Sequence, residues 1–362
     1  MRILLPYRDS CDRKITSSVV SGGGEQFCKL IYNNFDVEIY QGCYPVPSKA
    51  EDRWSISEKY EVQEKIVKKA EDIGADIIIS NFPSAIYNGK IIVKSKIPVM
   101  IVMHNRFKMR SIFSRLNKAN KKGHSVFLVS EHQKKYYQEF SDREHARWPD
   151  DKSNLMFDVA GYIRPSFCIG KKPNIKDKFD YDCGTIGRCD NQKKPFLLRE
   201  LVGDDCKTLV MTSPAQEEGQ SGYYNRMKKL YKNDKNVSWN DTHENLMKKL
   251  STCKTYFSTW NGETWGITAM EALSCGIPVI LNSDKNGNHA SEIIPASKEH
   301  YKIIPQNDKD ALVKAIEDLK DVDRGEIQKM TWEKHSLKSW KEHMRKCMED
   351  TVDKFDKLKN KK

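Results

Sequence analysis

The chain has 362 residues, of which 38% are hydrophobic and 31% are charged, and its mean hydropathy is −0.71. This length predicts two domains, and the apolar runs are long enough to build a core in each. No apolar run reaches the roughly 18–20 residues that a membrane span needs, and the first ten residues lack the long apolar region of a signal peptide. We therefore expect a cytoplasmic, monomeric protein without a transmembrane segment.

The formal net charge is +12, and the isoelectric point is about 9.0. Such an excess of positive charge favours a polyanionic partner, either nucleic acid or an anionic membrane surface. The alternative is that the lysines lie beside acidic residues on ordinary solvated helix faces. The ten cysteines are scattered, without CxxC or Cys/His metal spacing. This usage is typical of reduced thiols in a cytoplasm rather than of a disulfide framework.

The first half alternates predicted strands with predicted helices. Strands are expected at 2–6, 37–41, 76–80, 98–104, 126–130 and 157–161, and helices at 26–33, at 58–73 and from 131 onward. Three glycines, Gly22 to Gly24, precede the first helix, and their backbone N–H groups could approach a phosphate without Cβ obstruction. A run of glycines is equally typical of a flexible turn. His104 ends a strand, where a histidine can meet a substrate or satisfy backbone groups in the core.

The most basic segment is 105–122, which directly follows His104 and contains no acidic residue. Its basic residues are Arg106, Lys108, Arg110, Arg115, Lys118, Lys121 and Lys122. Phe107 and Phe113 lie between them. Basic residues interleaved with aromatic residues at the mouth of a cleft are typical of a DNA-binding surface. An exposed basic helix without a partner is the alternative interpretation.

The second half repeats the strand–helix alternation after a segment rich in proline, glycine and lysine. A strand at 181–187 ends at Gly187, Arg188 and Lys193 follow, and a helix begins at Pro195. Cations close to a helix start could clamp a diphosphate, or the segment could be an exposed loop with ordinary charges. The predicted organisation is a first domain at 1–165, a linker at 166–180, a second domain at 181–325 and a helical tail at 326–362 that could cross back to the first domain.

The stretch 257–281 contains a predicted strand, a polar turn, a helix at about 266–274 and another strand at 278–281. Gly276 is the residue that stops the helix. Glu263 lies at the mouth of the helix and Glu271 on it. In parallel α/β sheets, ligands bind at such strand-to-helix turns. The alternative is a buried α/β unit with a solvated Glu263 and a Glu271 paired to a lysine. The whole pattern predicts an α/β fold with two doubly wound domains facing across a cleft.

The residues from Glu263 onward read ETWGITAMEALSCGIPVI. They resemble the E-x7-E signature of retaining GT-B glycosyltransferases of glycosyltransferase family 4, whose usual form is E-G-F-G…E-A-x-A-x-G-x-P-V. Thr264 and Trp265 replace the usual Gly and Phe.

Other segments are similar to further motifs of that family. Gly187-Arg188-x4-Lys193 resembles its G-R-x4-K, although Lys194 stands where glycine is common. The 22–25 turn resembles its GG-x-E, His104 its strand-ending histidine, and 288–292 its G-x-x-E loop.

The resemblance implies two Rossmann-like domains, a UDP-sugar or similar donor as cosubstrate, and retention of anomeric configuration without a metal or other cofactor. It implies that Arg188 and Lys193 neutralise the leaving diphosphate, that Glu271 holds the ribose, and that Glu263 and His104 lie at the sugar. The implied donor-binding set is Gly22, Gly23, Gly24, Arg188, Lys193, Glu263, Thr264, Trp265, Gly266 and Glu271.

The Asn/Lys-rich composition and the basic segment are similar to phage enzymes that glycosylate 5-hydroxymethylcytosine in DNA. The resemblance implies transfer of glucose or arabinose to double-stranded DNA, with Arg106, Lys108, Arg110 and Arg115 binding the DNA. One alternative is a glycosyltransferase acting on a cell-surface glycan or lipid-linked acceptor. A second is an inactive GT-B module that only binds DNA or sugar.

Overall fold

The computed structural model describes residues 1–7, 23–41, 56–81, 95–104, 110–147, 158–164, 166, 168, 172–214, 221–259, 266–283 and 298–361. The chain divides into two compact units. Unit 1 comprises Met1–Pro165 with Trp340–Lys362, and unit 2 comprises Ser166–Ser339.

Unit 1 contains a parallel sheet with the strand order β2-β1-β3-β4-β5-β6. Its strands are β1 (Ile3–Tyr7), β2 (Val37–Gln41), β3 (Ile77–Ser80), β4 (Val99–Met103), β5 (Ser125–Leu128) and β6 (Gly161–Tyr162). The strand predicted at 157–161 was wrong in position: the described residues 158–160 are not in a strand, and the pairing begins where Gly161 lies opposite Phe127.

Helices cover both faces of this sheet. They are α1 (Gly23–Asn34), α2 (Ile56–Asp72), α3 (Arg110–Lys121) and α4 (Glu131–Arg147). On one face, α2, α3 and α4 bury Ile66, Phe113 and Tyr137 in a common core. Phe113 is only 1% exposed and its ring lies 5.3 Å from that of Phe140. The prediction that Phe113 belongs to an exposed DNA-binding surface was therefore wrong, because amphipathic packing turns it toward the sheet.

The opposite face of the unit 1 sheet is covered by α1 and by the last helix, α11 (Leu337–Lys359). The ring of Trp340 lies 6.5 Å from that of Phe27, and Phe355 stacks on His124 at 5.3 Å. Gly123 has φ +94°, and a Cβ there would lie 3.0 Å from the Cα of Phe355. The end of the chain is therefore part of the core of unit 1.

Unit 2 contains a second parallel sheet, with the order β12-β11-β10-β7-β8-β9. Its strands are β7 (Tyr181–Cys189), β8 (Thr208–Pro214), β9 (Val237–Trp239), β10 (Cys253–Ser258), β11 (Val279–Asn282) and β12 (Tyr301–Ile304). Strand order reverses between β7 and β10, so the loops that leave these two strands enter a switch-point crevice, where open α/β sheets bind ligands.

The helices of unit 2 pack on both faces of its sheet. They are α5 (Leu197–Val202), α6 (Ser221–Tyr231), α7 (His243–Leu250), α8 (Ile267–Ser274), α9 (Lys309–Asp318) and α10 (Arg324–Lys334). One core contains Phe257, Ile280 and Leu312, and another contains Phe196 and Met227. The predicted fold class, two doubly wound parallel-sheet domains, is confirmed.

Described residues of the segment 166–180 contact unit 2. Ser166 Oγ donates to the carbonyl of His335 at 2.7 Å, and the carbonyl of Pro173 accepts a bond from Gln328 at 2.8 Å. The guanidinium of Arg324 lies 4.0 Å from the ring centre of Phe179. These contacts attach the segment to α10 and to the loop that follows it.

Candidate active site

The first candidate feature is the turn that leaves β7 at the switch point. The strand runs beyond the predicted end at Gly187, and Arg188 is still paired in register with Ser213 of β8. A Cβ on Gly187 would lie 3.4 Å from the Cβ of Lys193. The turn therefore brings Lys193 back alongside the strand that carries Arg188, as a diphosphate clamp would require.

A buried carboxylate, that of Asp190, holds this turn. Asp190 is 0% exposed, and its Oδ1 accepts the backbone N–H groups of Gln192 at 2.9 Å and Lys193 at 2.6 Å. Its Oδ2 lies 3.2 Å from Nε of Arg188, whose side chain stays 40% exposed. One acidic side chain thus fixes both the backbone at Lys193 and the direction of the Arg188 guanidinium.

We expect Asp190→Ala to lower kcat/KM for the glycosyl transfer that the sequence resemblance implies about 10- to 100-fold, which corresponds to roughly 1.4–2.7 kcal/mol. The alanine frees the turn and the guanidinium together, whereas Asp190→Asn keeps an oxygen for the two backbone N–H groups and should lose less. Asp182→Asn is the matched control, since Asp182 lies in the same strand and pairs with Lys254 at 2.8 Å. Equal kcat/KM for Asp190→Ala and Asp182→Asn at equal thermal stability would contradict the prediction.

Further polar side chains tie together the ends of the strands. Thr259 Oγ1 donates to the carbonyl of Lys193, and Asn282 Nδ2 donates to the carbonyl of Thr259 at 3.0 Å. Asn282 also pairs with Asn307 in both directions, at 2.9 and 3.0 Å. This network crosses the carboxyl ends of β7, β10, β11 and β12, so it fixes the Lys193 turn to the rest of the sheet edge.

Unusual backbone conformations occur at the same edge. In the described ranges, the non-glycine residues with positive φ are Lys194 (40°), Asn240 (58°) and Asn307 (57°), and they follow β7, β9 and β12. Asparagine adopts the left-handed region readily in turns, so the costly conformation is that of Lys194. It lies in the same turn as Arg188 and Lys193.

The stretch with the E-x7-E pattern enters this edge from β10. Glu263, Thr264 and Trp265 lie outside the described residues, and so does the 288–292 loop. The helix was predicted to begin at Gly266, but α8 begins one residue later, at Ile267. Gly266 is the N-cap residue and has φ 64°. The hydroxyl groups of Tyr256 and Thr268 lie 2.5 Å apart and anchor the start of α8 to β10.

Glu271 points from α8 toward the start of α7. Its Oε1 lies 2.7 Å from Nε2 of His243, and the two side chains are 14% and 50% exposed. The hydrogen bond that His243 donates to the Glu271 carboxylate raises the pKa of His243 above its ordinary value, against the opposing effect of burial. A paired Glu271 was one of the two sequence interpretations, but the partner is this histidine rather than a lysine.

The corresponding edge of unit 1 gathers residues from three strands. Gly23 and Gly24 begin α1, and Gly22 lies outside the described residues. His104 follows β4, its ring lies 4.9 Å from that of Phe27 in α1, and burial lowers its pKa to about 3. The imidazole is therefore neutral at physiological pH. Asn81, which the sequence did not indicate, follows β3 and donates from Nδ2 to the carbonyl of Gly24.

The residues expected to bind an acceptor are only partly described. Arg106 and Lys108 lie outside the described residues, as does the side chain of Arg110. Arg115 is half-buried on α3, and Lys118 and Lys121 on the same helix are exposed. The outer face of α3 is thus basic, while its inner face packs in the core.

The positive charge of the chain is concentrated in unit 1. Unit 1 contains 35 lysines and arginines against 25 acidic residues, whereas unit 2 contains 27 against 25. Unit 1 therefore carries +10 of the net +12. A polyanion would be attracted to unit 1 far more than to unit 2.

Two further types of feature do not occur within the described ranges. There, no cluster of three or more His, Cys, Asp or Glu side chains could hold a metal ion. In the same part of the chain, no helix has the length and apolar character to cross a bilayer.

The fold, with two doubly wound parallel-sheet units on one chain, is of the GT-B type. Residues 173–336 match the family described as "Glycosyl transferases group 1". This match lies entirely within unit 2 and includes Arg188, Lys193 and Glu271. The protein is therefore a glycosyltransferase.

Several solved structures share the fold over nearly the whole chain. A sucrose-phosphate synthase from Thermosynechococcus elongatus has a TM-score of 0.64 at 14% identity, covering 95% of this chain and 98% of its own. Anabaena HepE in complex with UDP-glucose has a TM-score of 0.65 at 12% identity, covering 96% and 99%. A glycosyltransferase from Rickettsia africae has a TM-score of 0.64 at 13% identity, covering 96% and 98%. A comparison with curated proteins finds no match.

Proposed function

We propose that the protein transfers a sugar from a UDP-sugar, with retention of anomeric configuration, and that unit 2 binds the donor. The observation that carries the proposal is the Arg188–Lys193 turn, which lies at the switch-point edge together with the helix that bears Glu271. HepE, which shares the fold, was solved with UDP-glucose. A nucleotide diphosphate leaving group needs cations and N–H donors at this place.

The residues of the edge suit distinct steps of such a transfer. Arg188 and Lys193 neutralise charge that develops on the leaving diphosphate. For the N–H groups of Gly23 and Gly24 in unit 1, we keep the assisting role that the sequence resemblance implies. Glu271 accepts hydrogen bonds from the ribose hydroxyls, since a carboxylate makes stronger bonds than a neutral acceptor.

His104 and Glu263 act closer to the sugar. His104 is neutral at physiological pH because of its burial, so it can exchange hydrogen bonds with hydroxyl groups without adding charge. Glu263, Thr264 and Trp265 have their proposed roles from the sequence resemblance: Glu263 orients the sugar hydroxyls, and Thr264 and Trp265 belong to the donor-binding set.

We infer that the acceptor is 5-hydroxymethylcytosine in double-stranded DNA and that unit 1 binds it. The support is the concentration of positive charge in unit 1 and the acid-free helix α3. Phosphate contacts from such a surface supply sequence-independent affinity. The modified base must leave the helical stack to reach the transferred sugar.

The direct test is transfer from radiolabelled UDP-glucose or UDP-arabinose to hydroxymethylated duplex DNA, with unmodified duplex as the control. Label on the modified duplex alone supports the DNA acceptor, and the anomeric proton coupling of the product reports retention. Label on lipid or glycan but not on DNA would overturn the DNA acceptor and leave the transferase intact. If no sugar nucleotide is hydrolysed or used for transfer, the protein is an inactive binding module.

Combined replacement of Arg106, Lys108 and Arg110 by alanine should weaken DNA binding. If each contacts one phosphate, the slope of log K against log salt should fall by about 3. The charge-matched control replaces Lys229, Lys232 and Lys235, which are exposed in unit 2. An unchanged slope in the first variant, or an equal loss in the control, would contradict DNA binding by the 105–110 segment.

A further inference from the structure

His243 and Glu271, which are 28 residues apart in the sequence, form a contact that joins helices α7 and α8. His243 is the first residue of α7, directly after Thr242, whose side chain accepts the N–H of Asn245 as an N-cap. The cap fixes where α7 begins, so the imidazole is presented to α8 at a defined position. Half of the His243 side chain remains exposed, whereas Glu271 is 14% exposed.

The charged groups around the imidazole leave Glu271 as its partner. Helix α7 packs against α8, β10 and β7. On α8 the facing group is Glu271. On β10 and β7, Lys254 and Asp182 pair with each other at 2.8 Å, and Arg188 pairs with Asp190.

The two acidic residues nearest His243 in sequence do not compete for it. Asp241, two residues before, is paired with Lys249 at 2.6 Å. Glu244, the next residue of α7, is exposed.

A carboxylate at a site for an anionic donor has a physical disadvantage, because it repels the phosphates that the nearby cations attract. An imidazolium hydrogen-bonded to one carboxylate oxygen offsets that charge and leaves the second oxygen available to a ligand hydroxyl. A neutral imidazole can keep the hydrogen bond but not the charge.

We propose that His243 is a positioning residue for Glu271, and that its imidazolium form makes donor binding tighter at lower pH. This inference rests on the proposed role of Glu271 at the donor ribose. If the anionic donor favours the protonated imidazole, the pKa of His243 rises further in the complex. Affinity is then greatest below the pKa of the free protein and is lost as the pH rises through the pKa of the complex.

The test measures the Kd of UDP-glucose by calorimetry between about pH 6 and pH 8.5, where the donor's own charge is nearly constant and His104, with a pKa of about 3, does not titrate. For the unaltered protein the Kd should rise about 3- to 10-fold across this range. For His243→Gln, which keeps an N–H donor but cannot titrate, the Kd should be flat. A flat profile in the unaltered protein, or the same slope in His243→Gln, would overturn the inference.

The control is His300→Gln. His300 forms the second His–Glu pair in the described part of unit 2, with Nε2 3.4 Å from Oε2 of Glu326, and this variant should retain the pH profile. A separate measurement follows the imidazole resonances by NMR without donor. The pKa of His243 should lie above its ordinary value and should fall in Glu271→Gln, and a pKa that does not respond would sink the pairing.

The proposed role of Glu271 at the donor and the inference about His243 would be contradicted by different results. If Glu271→Ala binds UDP-glucose as tightly as the unaltered protein, the proposed role of Glu271 is wrong. If Glu271→Ala binds weakly but His243→Gln keeps the original pH profile, Glu271 keeps its role and only the inference about His243 fails.

Discussion

Arg188→Ala and Lys193→Ala are each expected to lower kcat/KM about 30- to 1000-fold, because removing one preorganised group from developing charge costs roughly 2–4 kcal/mol. The loss should appear in kcat as well as in KM, since the diphosphate carries more charge in the transition state than in the bound donor. The double variant should lose less than the product of the two single losses, because Asp190 holds both residues in one turn.

The matched control for these variants is Lys254→Ala. Lys254 lies near the amino end of β10, is 37% exposed and pairs with Asp182 at 2.8 Å, whereas Arg188 is 40% exposed and pairs with Asp190 at 3.2 Å. Both replacements remove a paired cation of similar exposure from the same sheet, but at opposite edges. Rates like those of the unaltered protein in Arg188→Ala or Lys193→Ala, at unchanged melting temperature, would exclude the turn from the mechanism.

The second large effect is expected for Glu271→Ala, which should raise the Kd of the donor about 10- to 150-fold. A hydrogen bond to a charged group contributes about 1.5–3 kcal/mol, and the alanine removes those that the carboxylate makes to ribose. Glu271→Gln keeps one acceptor oxygen and should show a smaller loss. In contrast to the Arg188 variants, kcat at saturating donor should change little, because the ribose is bound similarly in the ground and transition states.

Glu326→Gln tests whether any loss of a histidine-paired carboxylate has the same effect. Its carboxylate faces His300 within unit 2, and the variant should bind donor normally. Donor affinity in Glu271→Ala equal to that in Glu326→Gln would remove Glu271 from the donor site. Thermal unfolding of each variant separates a lost contact from a lost fold.

Most element positions followed from local signals. Strand β2 has the bounds predicted from the sequence, because a short run of residues with high strand propensity defines it. Gly74 and Gly276 follow helices with φ of 62° and 76°, as glycine at a helix end commonly does. The two-residue strand β6 was misplaced because only its pairing with β5 defines it.

The side chains of the site were predictable only as far as backbone topology determines them. Parallel strands place their carboxyl ends at one edge, so the sequence alone led us to expect Arg188 and Lys193 after one strand, and Glu271 on the helix that follows another, at one edge of the sheet. Asp190 had a weak local signal, since an aspartate before a turn often accepts backbone N–H groups.

By itself, then, the sequence determined the doubly wound fold, the edge at which the charged residues lie and the excess of positive charge. Only the tertiary structure decided that Phe113 is buried, that Asp190 is shared by Arg188 and the Lys193 backbone, and that His243 is the partner of Glu271. The reason is physical. Periodicity and turn chemistry act over a few neighbouring residues, whereas burial and ion pairing depend on which helix faces pack together across segments distant in the chain.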